Sequence, residues 1–213
     1  MSMFSICTAF VTEYKLEETL AAMAAAEEKF SPEIGVLFRR FFQCTVQAHI
    51  IWAITEWESE KHHNDAAQSL MQTRRDDRIA SISFGPEPYY EIFCNEETGL
   101  RVGRFSDRLG FVVVGHGLIN ARARAKYREL RRERIAELGH RLDWLSVYHN
   151  RYQPDEFVAC LGFASQEAFE GVRGVGDFLL EEYLLTGLRK PFGMSYLAGY
   201  NQFLCTPLSL SEV

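Results

Sequence analysis

Short runs of β-branched and aromatic residues alternate along this chain with stretches whose apolar residues recur at helical spacing. The clearest run extends from His49 to Trp57 and predicts a strand with both faces covered. Ser59 follows as a helix-capping residue. The apolar stripe that comes next consists of Ala66, Ala67, Leu70 and Met71. The pattern therefore predicts a strand that passes almost directly into a helix packed back on it.

The same pattern recurs 106 residues later, where the run Phe157 to Phe163 is followed by Ser165. Two other segments repeat at a shift of 106 or 107: Phe4 to Val11 over Phe111 to Leu118, and Tyr90 to Cys94 over Tyr196 to Tyr200. A conserved order of elements at a fixed spacing indicates an internal duplication. The sequence predicts two β-α-β-β-α-β units at residues 1–98 and 109–206, a linker at 99–108 and a tail at 207–213.

Each unit is expected to contain four strands and two helices. In the first unit, the predicted strands are Phe4–Thr12, Phe42–Gln47, His49–Trp57 and Tyr89–Asn95, with a helix from Leu16 and a short helical piece at Val36–Arg40. In the second unit, they are Gly110–Ile119, Leu142–Tyr152, Glu156–Phe163 and Gly193–Leu204. The helices of the second unit are predicted at Ala121–Leu138 and, after several glycines, at Asp177–Leu188.

Both faces of each predicted sheet are apolar. Phe4, Ile6 and Phe10 alternate with Cys7, Ala9 and Val11 along the first strand. One face can pack on the helices, and a second oily face of that size is not tolerated in water. Packing the two remaining faces together stabilises them by about 25 cal/mol per Å² of apolar surface. The sequence therefore predicts an α+β fold in which two antiparallel sheets form one pseudo-twofold α/β barrel, with space between them for a small ligand.

Charge and cysteine content narrow the class of protein. The net charge of −6 comes from the first 106 residues, and a nucleic-acid binder would show a basic surplus instead. The basic run Arg122 to Arg134 is interleaved with glutamates, which favours a solvated helix face over a phosphate site. Five scattered cysteines without a CxxC motif are typical of a reducing compartment. We expect a cytoplasmic protein with no signal peptide, no membrane span and a capacity for homo-oligomer formation.

His116 is the residue of greatest chemical interest. It lies in a predicted strand with Gly115 and Gly117 on either side, which we interpret as room for a planar ligand. A histidine in a cavity can act as a general base or as an iron ligand. The alternative is a hydrogen-bonded histidine packed between the sheets.

Other residues of the expected cavity share a strand face. Trp144, Tyr148 and Asn150 have one parity on their strand, and Tyr196 and Tyr200 have one parity on the last strand. Aromatic rings with polar tips suit a flat, partly polar ligand, although they suit an ordinary core as well.

The first unit contributes Trp52 and Glu56 to the expected cavity, because they share one face of the central strand. Glu56 could accept a proton if it is buried, or it could form a salt bridge with Arg39 or Arg40. His62 and His63 diverge by about 100° on a helix and are predicted to lie on a solvated face rather than to bind a metal. No phosphate-loop, dinucleotide, zinc-hydrolase or serine-hydrolase motif is present in the sequence.

The segment ITEWESEKHH, at residues 54–63, resembles the strand-to-helix signature of antibiotic biosynthesis monooxygenase-type domains in the dimeric α/β-barrel superfamily. Members are usually two chains of about 100 residues, whereas this chain looks like a tandem fusion. The superfamily includes cofactor-independent monooxygenases of polycyclic phenols, heme-degrading enzymes, isomerases and members without known activity. The resemblance therefore implies a fold more firmly than a function.

The heme-degrading branch uses an Asn on strand one and a Trp and a His on helix two. The corresponding positions are about Ala9 and Asp65 in the first half and about His116 and Gly171 in the second, so the set is missing. The resemblance leaves three hypotheses: a cofactor-free oxygenase of a small aromatic or quinol-type substrate, a heme protein with His116 as axial ligand, and a non-catalytic binding protein. In the first, His116 and Tyr148 are the candidate catalytic residues.

Overall fold

The computed structural model describes residues 3–11, 15–27, 30, 32–76, 89–97, 100–106, 108–138, 140, 142–173 and 197–210. The chain divides into two compact units. The first comprises Met1–Asn95 together with Pro207–Val213, and the second comprises Glu96–Thr206.

The first unit has the ferredoxin-like order of elements. These are β1 (Met3–Phe10), α1 (Leu16–Glu27), a 3₁₀ turn (Pro32–Ile34), β2 (Val36–Cys44), β3 (Ile50–Trp57), α2 (Glu60–Asp76) and β4 (Tyr89–Glu96). The four strands form an antiparallel sheet in the order β4-β1-β3-β2. This is the strand order that a β-α-β-β-α-β unit requires, because each helix crosses over to a non-adjacent strand.

Odd-numbered residues of β1 and β3 face the helices of the first unit. Ala9, Val11, Ile51 and Ala53 form a core with Leu16, Leu20 and Met23 of α1, and Leu210 of the C-terminal segment is buried in the same core. A second cluster joins Met3, Val36 and Trp57 to Ala66 of α2. The apolar residues of both helices therefore pack on the sheet, as their helical spacing predicted.

The second unit repeats this architecture with one additional strand. Its elements are β5 (Val102–Gly103), β6 (Phe111–Ile119), α3 (Arg124–Leu138, preceded by a 3₁₀ turn at Ala121–Ala123), β7 (Trp144–Asn150), β8 (Glu156–Phe163), α4 (Gln166–Arg173) and β9 (Leu197–Leu208). The antiparallel order is β9-β6-β8-β7-β5. The predicted α+β class with two ferredoxin-like repeats is thus confirmed.

The core of the second unit is more aromatic than that of the first. Tyr127 of α3 and Phe169 of α4 pack against Phe111, Phe157 and Phe163 of the sheet. Arg131 of α3 is fully buried, with its guanidinium carbon 4.7 Å from the ring centre of Tyr127 and 4.4 Å from that of Phe157. The prediction of a wholly solvated basic face is therefore wrong at Arg131, whose guanidinium packs on two aromatic rings and interacts electrostatically with Glu97.

The structure departs from the sequence predictions at two further places. Val36–Arg40 is not helical but forms the start of β2, because Gly35 at φ 83° ends the preceding 3₁₀ turn and redirects the chain. Val102–Gly103, within the predicted linker, pairs with Leu145 and Trp144 of β7 and so extends the second sheet. The predicted helix at 177–188 lies outside the described residues.

Gly35 provides a test of this local geometry. A Cβ atom built there would lie 2.5 Å from Cγ of His62, and the positive φ disfavours any side chain. Gly35→Ala should therefore lower the free energy of unfolding by about 1–3 kcal/mol, measured by urea denaturation.

Gly171→Ala is the matched control for this substitution. A Cβ built at Gly171 meets nothing within 4 Å, and the residue lies in α4, so we expect a neutral effect or a gain of up to about 1 kcal/mol. Equal effects at the two glycines would contradict the geometry at Gly35.

Candidate functional site

The second sheet separates its polar and apolar residues by face. Val113, Val147 and Phe157 belong to the core beneath α3 and α4. Residues of the opposite parity therefore point to the other face of the sheet. Four of them carry polar groups that the register places in adjacent rows: His116, Tyr148, Asn150 and Glu156. No described helix packs on this face of the second sheet, the helix-free face, which is the candidate site.

A histidine–carboxylate pair forms the centre of the site. His116 Nε2 lies 2.8 Å from Glu156 Oε1, and the other oxygen, Oε2, accepts a hydrogen bond of 2.5 Å from Asn150 Nδ2. Glu156 is 3% exposed, whereas 23% of the His116 side chain remains accessible. A carboxylate with both oxygens engaged is able to remain buried, since each hydrogen bond replaces one to water.

Tyr148 lies in the same transverse row as His116, with Val158 between them. Burial raises the pKa of Tyr148 well above its ordinary value of 10, and the nearby Cys160 adds to this rise. A hydrogen bond with Ser146 works in the opposite direction but does not reverse the shift. Tyr148 is therefore a neutral phenol at physiological pH and not a base.

A second polar chain continues along β7 toward the segment that precedes β5. Trp144 Nε1 donates to Ser146 Oγ over 3.0 Å, and Ser146 Oγ donates to Glu96 Oε1 over 2.8 Å. Glu96 in turn pairs with Arg101 at 3.4 Å. These bonds hold Trp144 and Ser146 in fixed orientations on the same sheet face as Tyr148.

Sequence reasoning missed Glu156 as a site residue. The signal was present, because Glu156 is the only charged residue in a strand that otherwise reads FVACLGF. Its partner at Asn150 could not be found from spacing alone, since the β7–β8 turn determines which residues pair across the two strands.

The interpretation of the flanking glycines was also wrong. Gly115 and Gly117 share the parity of Val113 and Ile119, which face the helices. They therefore leave room on the helix side of β6 and not beside His116.

The predicted site residues of the first unit do not form a comparable group. Trp52 is buried, and Glu56 is half-buried at the end of β3. Arg39 pairs with Glu27 at 2.9 Å and stacks over Phe30. The salt bridge of Glu56 with Arg39 or Arg40 stays a prediction. Tyr196 and the side chain of Tyr200 lie outside the described residues.

The two registers identify which residues of the first unit correspond to the site. His116 pairs with Val158 as Thr8 pairs with Trp52, and Val158 follows Trp52 by the repeat distance of 106 residues. The structural counterpart of His116 is therefore Thr8 and not Ala9 as the sequence suggested. By the same comparison, Ile50 is the counterpart of Glu156, and Cys44 is the counterpart of Asn150. The first unit carries no equivalent histidine–carboxylate pair at these positions.

A different histidine–carboxylate pair occupies the helix face of the first unit. His63 Nε2 lies 3.3 Å from Glu91 Oε1, and Cys7 Sγ donates to the same oxygen over 3.5 Å. The His63 ring packs edge-on against Trp57 and Phe93. The prediction that His63 is solvated is wrong, because the start of α2 turns this side chain inward toward β4.

Within the described residues, no group of three or more His, Cys, Asp or Glu side chains is arranged to hold a metal ion. No helix in that part of the chain is long and apolar enough to cross a membrane. All five cysteines are free thiols.

Two ferredoxin-like repeats in one chain define the fold class of this α+β protein. No protein-family model matches the sequence, and no curated protein matches it either. Similar solved structures include an anthrone oxidase-like protein, with a TM-score of 0.74, 10% identity, and coverage of 98% of this chain and 92% of that chain. A candidate monooxygenase from Fusobacterium nucleatum has a TM-score of 0.71, 8% identity, and coverage of 98% and 93%.

A protein described as an enzyme of a different reaction also has a similar fold. A chlorite dismutase from Candidatus Nitrospira defluvii has a TM-score of 0.57, 12% identity, and coverage of 99% of this chain and 92% of that chain. The predicted resemblance is thus confirmed for the fold, and the side chains must distinguish among its chemistries.

The His63–Glu91 pair leads to a pH-dependent contribution to stability. Burial alone would lower the pKa of His63, but hydrogen bonds with Glu91 and Asn64 and the charges of Glu91 and Glu60 outweigh it, so the pKa is raised above 6.5. The His63–Glu91 pair therefore contributes its full stabilisation below pH 6.5, the pKa of the unfolded state. This contribution is lost as the pH rises through the raised pKa of His63 in the folded state. Glu91→Gln should therefore cost most stability at low pH, and the cost should shrink as the pH rises from about 5.5 to 9, measured by urea denaturation.

Lys61→Ala serves as the control for this experiment. It removes the exposed ion pair with Asp65, so its effect should be small and nearly independent of pH over the same range. A cost of Glu91→Gln that does not vary with pH would contradict the role assigned to His63.

Proposed function

We propose that this protein is a cofactor-independent monooxygenase that acts on a small aromatic or quinol-type substrate at the helix-free face of the second sheet. The observation that carries the proposal is the 2.8 Å contact between His116 Nε2 and Glu156 Oε1. The fold shared with monooxygenase-like structures supports the reaction class. Five free thiols support a reducing, cytoplasmic location.

A buried carboxylate beside an imidazole holds the ring in one orientation, and a histidine held in this way is a candidate general base. The acidic hydrogen of a phenol or hydroquinone is within the range that such a base can remove. His116 would therefore generate the substrate anion.

The anion supplies the electrons that oxygen chemistry needs. An electron-rich aromatic anion can transfer electrons directly to O₂, after which one oxygen atom bonds to the substrate carbon and the other leaves as water. For a substrate CH₂ group, the balance is CH₂ plus O₂ giving C=O plus H₂O. No metal or organic cofactor is required for this balance, since the substrate itself is the reductant.

Tyr148 is the second proposed catalytic residue. Because its pKa is raised, it keeps its proton at neutral pH and does not itself act as a base. Trp144, held by Ser146, offers a flat apolar surface on the same face. The ligand contacts predicted at Trp52, Glu56, Tyr196 and Tyr200 stay predictions from the sequence.

Heme is the alternative ligand, with His116 as the candidate iron ligand. Its Nε2 atom is already engaged by Glu156, and an iron there would leave a buried carboxylate without this partner. The residues present therefore do not fit a heme bound through His116.

The proposed activity predicts metal-independent oxygen consumption. In the presence of a metal chelator, the purified protein should consume O₂ with at least one substrate from a panel of hydroquinones, naphthols and anthrones. An oxygen electrode measures this consumption. His116→Ala should lower the turnover number by about 10²–10⁴-fold, the usual contribution of a general base.

His140→Ala is the matched control, since His140 is exposed and takes no part in the described site. It should leave oxygen consumption unchanged. Absence of turnover with every substrate, or equal loss in the two variants, would contradict the proposal.

The heme alternative makes a separate prediction. Addition of hemin should give no Soret band that depends on His116, when wild type and His116→Ala are compared by absorbance spectroscopy. A sharp band in the wild type that is lost in His116→Ala would instead establish heme binding and overturn the cofactor-free mechanism.

A further inference from the structure

We infer that this chain binds a second copy of itself, and that the contact joins corresponding ends of the two units. The first tip consists of residues 10–11, 15–18 and 45–49, where β1 ends, α1 begins and β2 turns into β3. The second tip consists of residues 118–126 and 151–155, at the same places of β6, α3 and the β7–β8 turn. The inference does not depend on the proposed activity.

The two tips have the same backbone arrangement. In each unit, one hydrogen bond joins the end of the first strand to the hairpin turn, and another closes the turn itself. The donors and acceptors are Val11 N–H to His49 O and Ile119 N–H to Asp155 O, each at 2.7 Å, and Ile50 N–H to Gln47 O and Glu156 N–H to Gln153 O, each at 2.8 Å. The side chains of one tip can therefore be compared position by position with those of the other.

Both tips expose large apolar side chains at corresponding positions. In the part of the chain that the structure describes, five such side chains are exposed, and four of them belong to the tips. These are Phe10 and Val46 at the first tip and Leu118 and Tyr152 at the second, each between 37% and 79% exposed. Phe10 pairs with Ile50 as Leu118 pairs with Glu156, and Val46 precedes Tyr152 by the repeat distance of 106. Exposed apolar groups that cluster in this way are typical of a binding surface.

The tips carry opposite net charge, which identifies the partner of each. The first tip contains one basic and two acidic residues, whereas the second contains four basic residues and one acidic residue. Glu17 and Glu18 are exposed in the first turn of α1, and Arg122 is exposed in the 3₁₀ turn after β6. Unlike tips therefore attract one another and like tips do not, so the first tip of one copy fits the second tip of another.

A contact between two different surfaces is heterologous, so it can repeat from copy to copy. Four partly exposed side chains supply less surface than the roughly 1,200 Å² of a standard interface. The association should therefore be weak, with a dissociation constant on the order of 100 µM. Because the charges on both tips are exposed, salt should weaken it further.

Sedimentation equilibrium measures this association directly and requires no substrate. The weight-average mass of the wild type should rise above the 24.5 kDa of one chain as its concentration increases from about 10 µM to about 1 mM. The dissociation constant should increase severalfold when NaCl is raised from about 50 to about 500 mM.

Val46→Ser and Tyr152→Ser each remove the apolar group of one tip and leave its charge unchanged. Either substitution alone should raise the dissociation constant by about tenfold or more. An equimolar mixture should associate with the wild-type constant, because the intact first tip of Tyr152→Ser meets the intact second tip of Val46→Ser. Leu37→Ser is the matched control, since Leu37 is exposed at the opposite end of β2 from the first tip, and it should have no effect.

Four outcomes would overturn the inference. They are a wild type that remains monomeric at every concentration, an association that neither variant weakens, a loss confined to one of the two variants, and a mixture of the variants that stays monomeric. The last two would mean that like tips meet. Circular dichroism checks that each variant is folded, and the concentration and salt dependence of the wild type decide the question if one is not.

Discussion

The burial of one carboxylate constrains the second unit more than any other single interaction. Glu156 begins β8, a strand whose eight residues are all buried, and it must be paired because an isolated charge there would cost several kcal/mol. Antiparallel register brings only two neighbouring strands within reach, β6 and β7. His116 from the first and Asn150 from the second satisfy the two oxygens. The position of His116 is thus a consequence of strand pairing.

The duplication provided two copies of this scaffold, and only one carries the pair. The counterparts in the first unit, Thr8, Ile50 and Cys44, contain no ionisable oxygen acid, so no charge has to be satisfied at that place. The first unit instead pairs His63 with Glu91 on its helix face, where the contact connects α2 to β4. The second unit has a helix-face pair as well, because His149 Nε2 lies 2.5 Å from Glu97 Oε2. The His63–Glu91 pair joins a helix to a strand, whereas Glu97 lies beside β7, since its backbone N–H donates to Val147 O over 2.7 Å. His116 and Glu156 likewise join neighbouring strands.

Much of the fold could be predicted from the sequence, because its periodicities are strong. The run Glu156–Phe163 was bounded correctly, and the repeat distance of 106 residues holds for β3 and β8 and for the starts of α2 and α4. The error at Val36–Arg40 arose because charged Arg39 and Arg40 do not resemble strand residues. Arg39 is accommodated by Glu27 and Phe30, which come from α1 and the segment after it. Such tertiary partners are invisible to a local pattern.

The candidate site was predictable only in part, for a related reason. Strand parity correctly grouped Trp144, Tyr148 and Asn150, since alternation depends on the backbone alone. Identification of Glu156 required the register between β6, β7 and β8, and register is set by the turn and by packing. The assignment of His63 to solvent failed because helical spacing gives the angle between His62 and His63 but not which of them points inward. Periodicity therefore determines the directions of side chains relative to one another, and tertiary contacts determine which of them point into the core.

Proteins with similar folds are described by different reactions, so the fold does not determine the function of this chain. Individual side-chain atoms have to distinguish among the reactions. At 8–12% identity, the monooxygenase-like structures and the chlorite dismutase share a backbone with this chain. One histidine could serve either acid–base or metal chemistry, and the groups around its two nitrogens decide between them. In this chain the more distal nitrogen, Nε2, faces a buried carboxylate that is itself fixed by Asn150. That arrangement occupies Nε2, the nitrogen through which an imidazole could otherwise hold an iron.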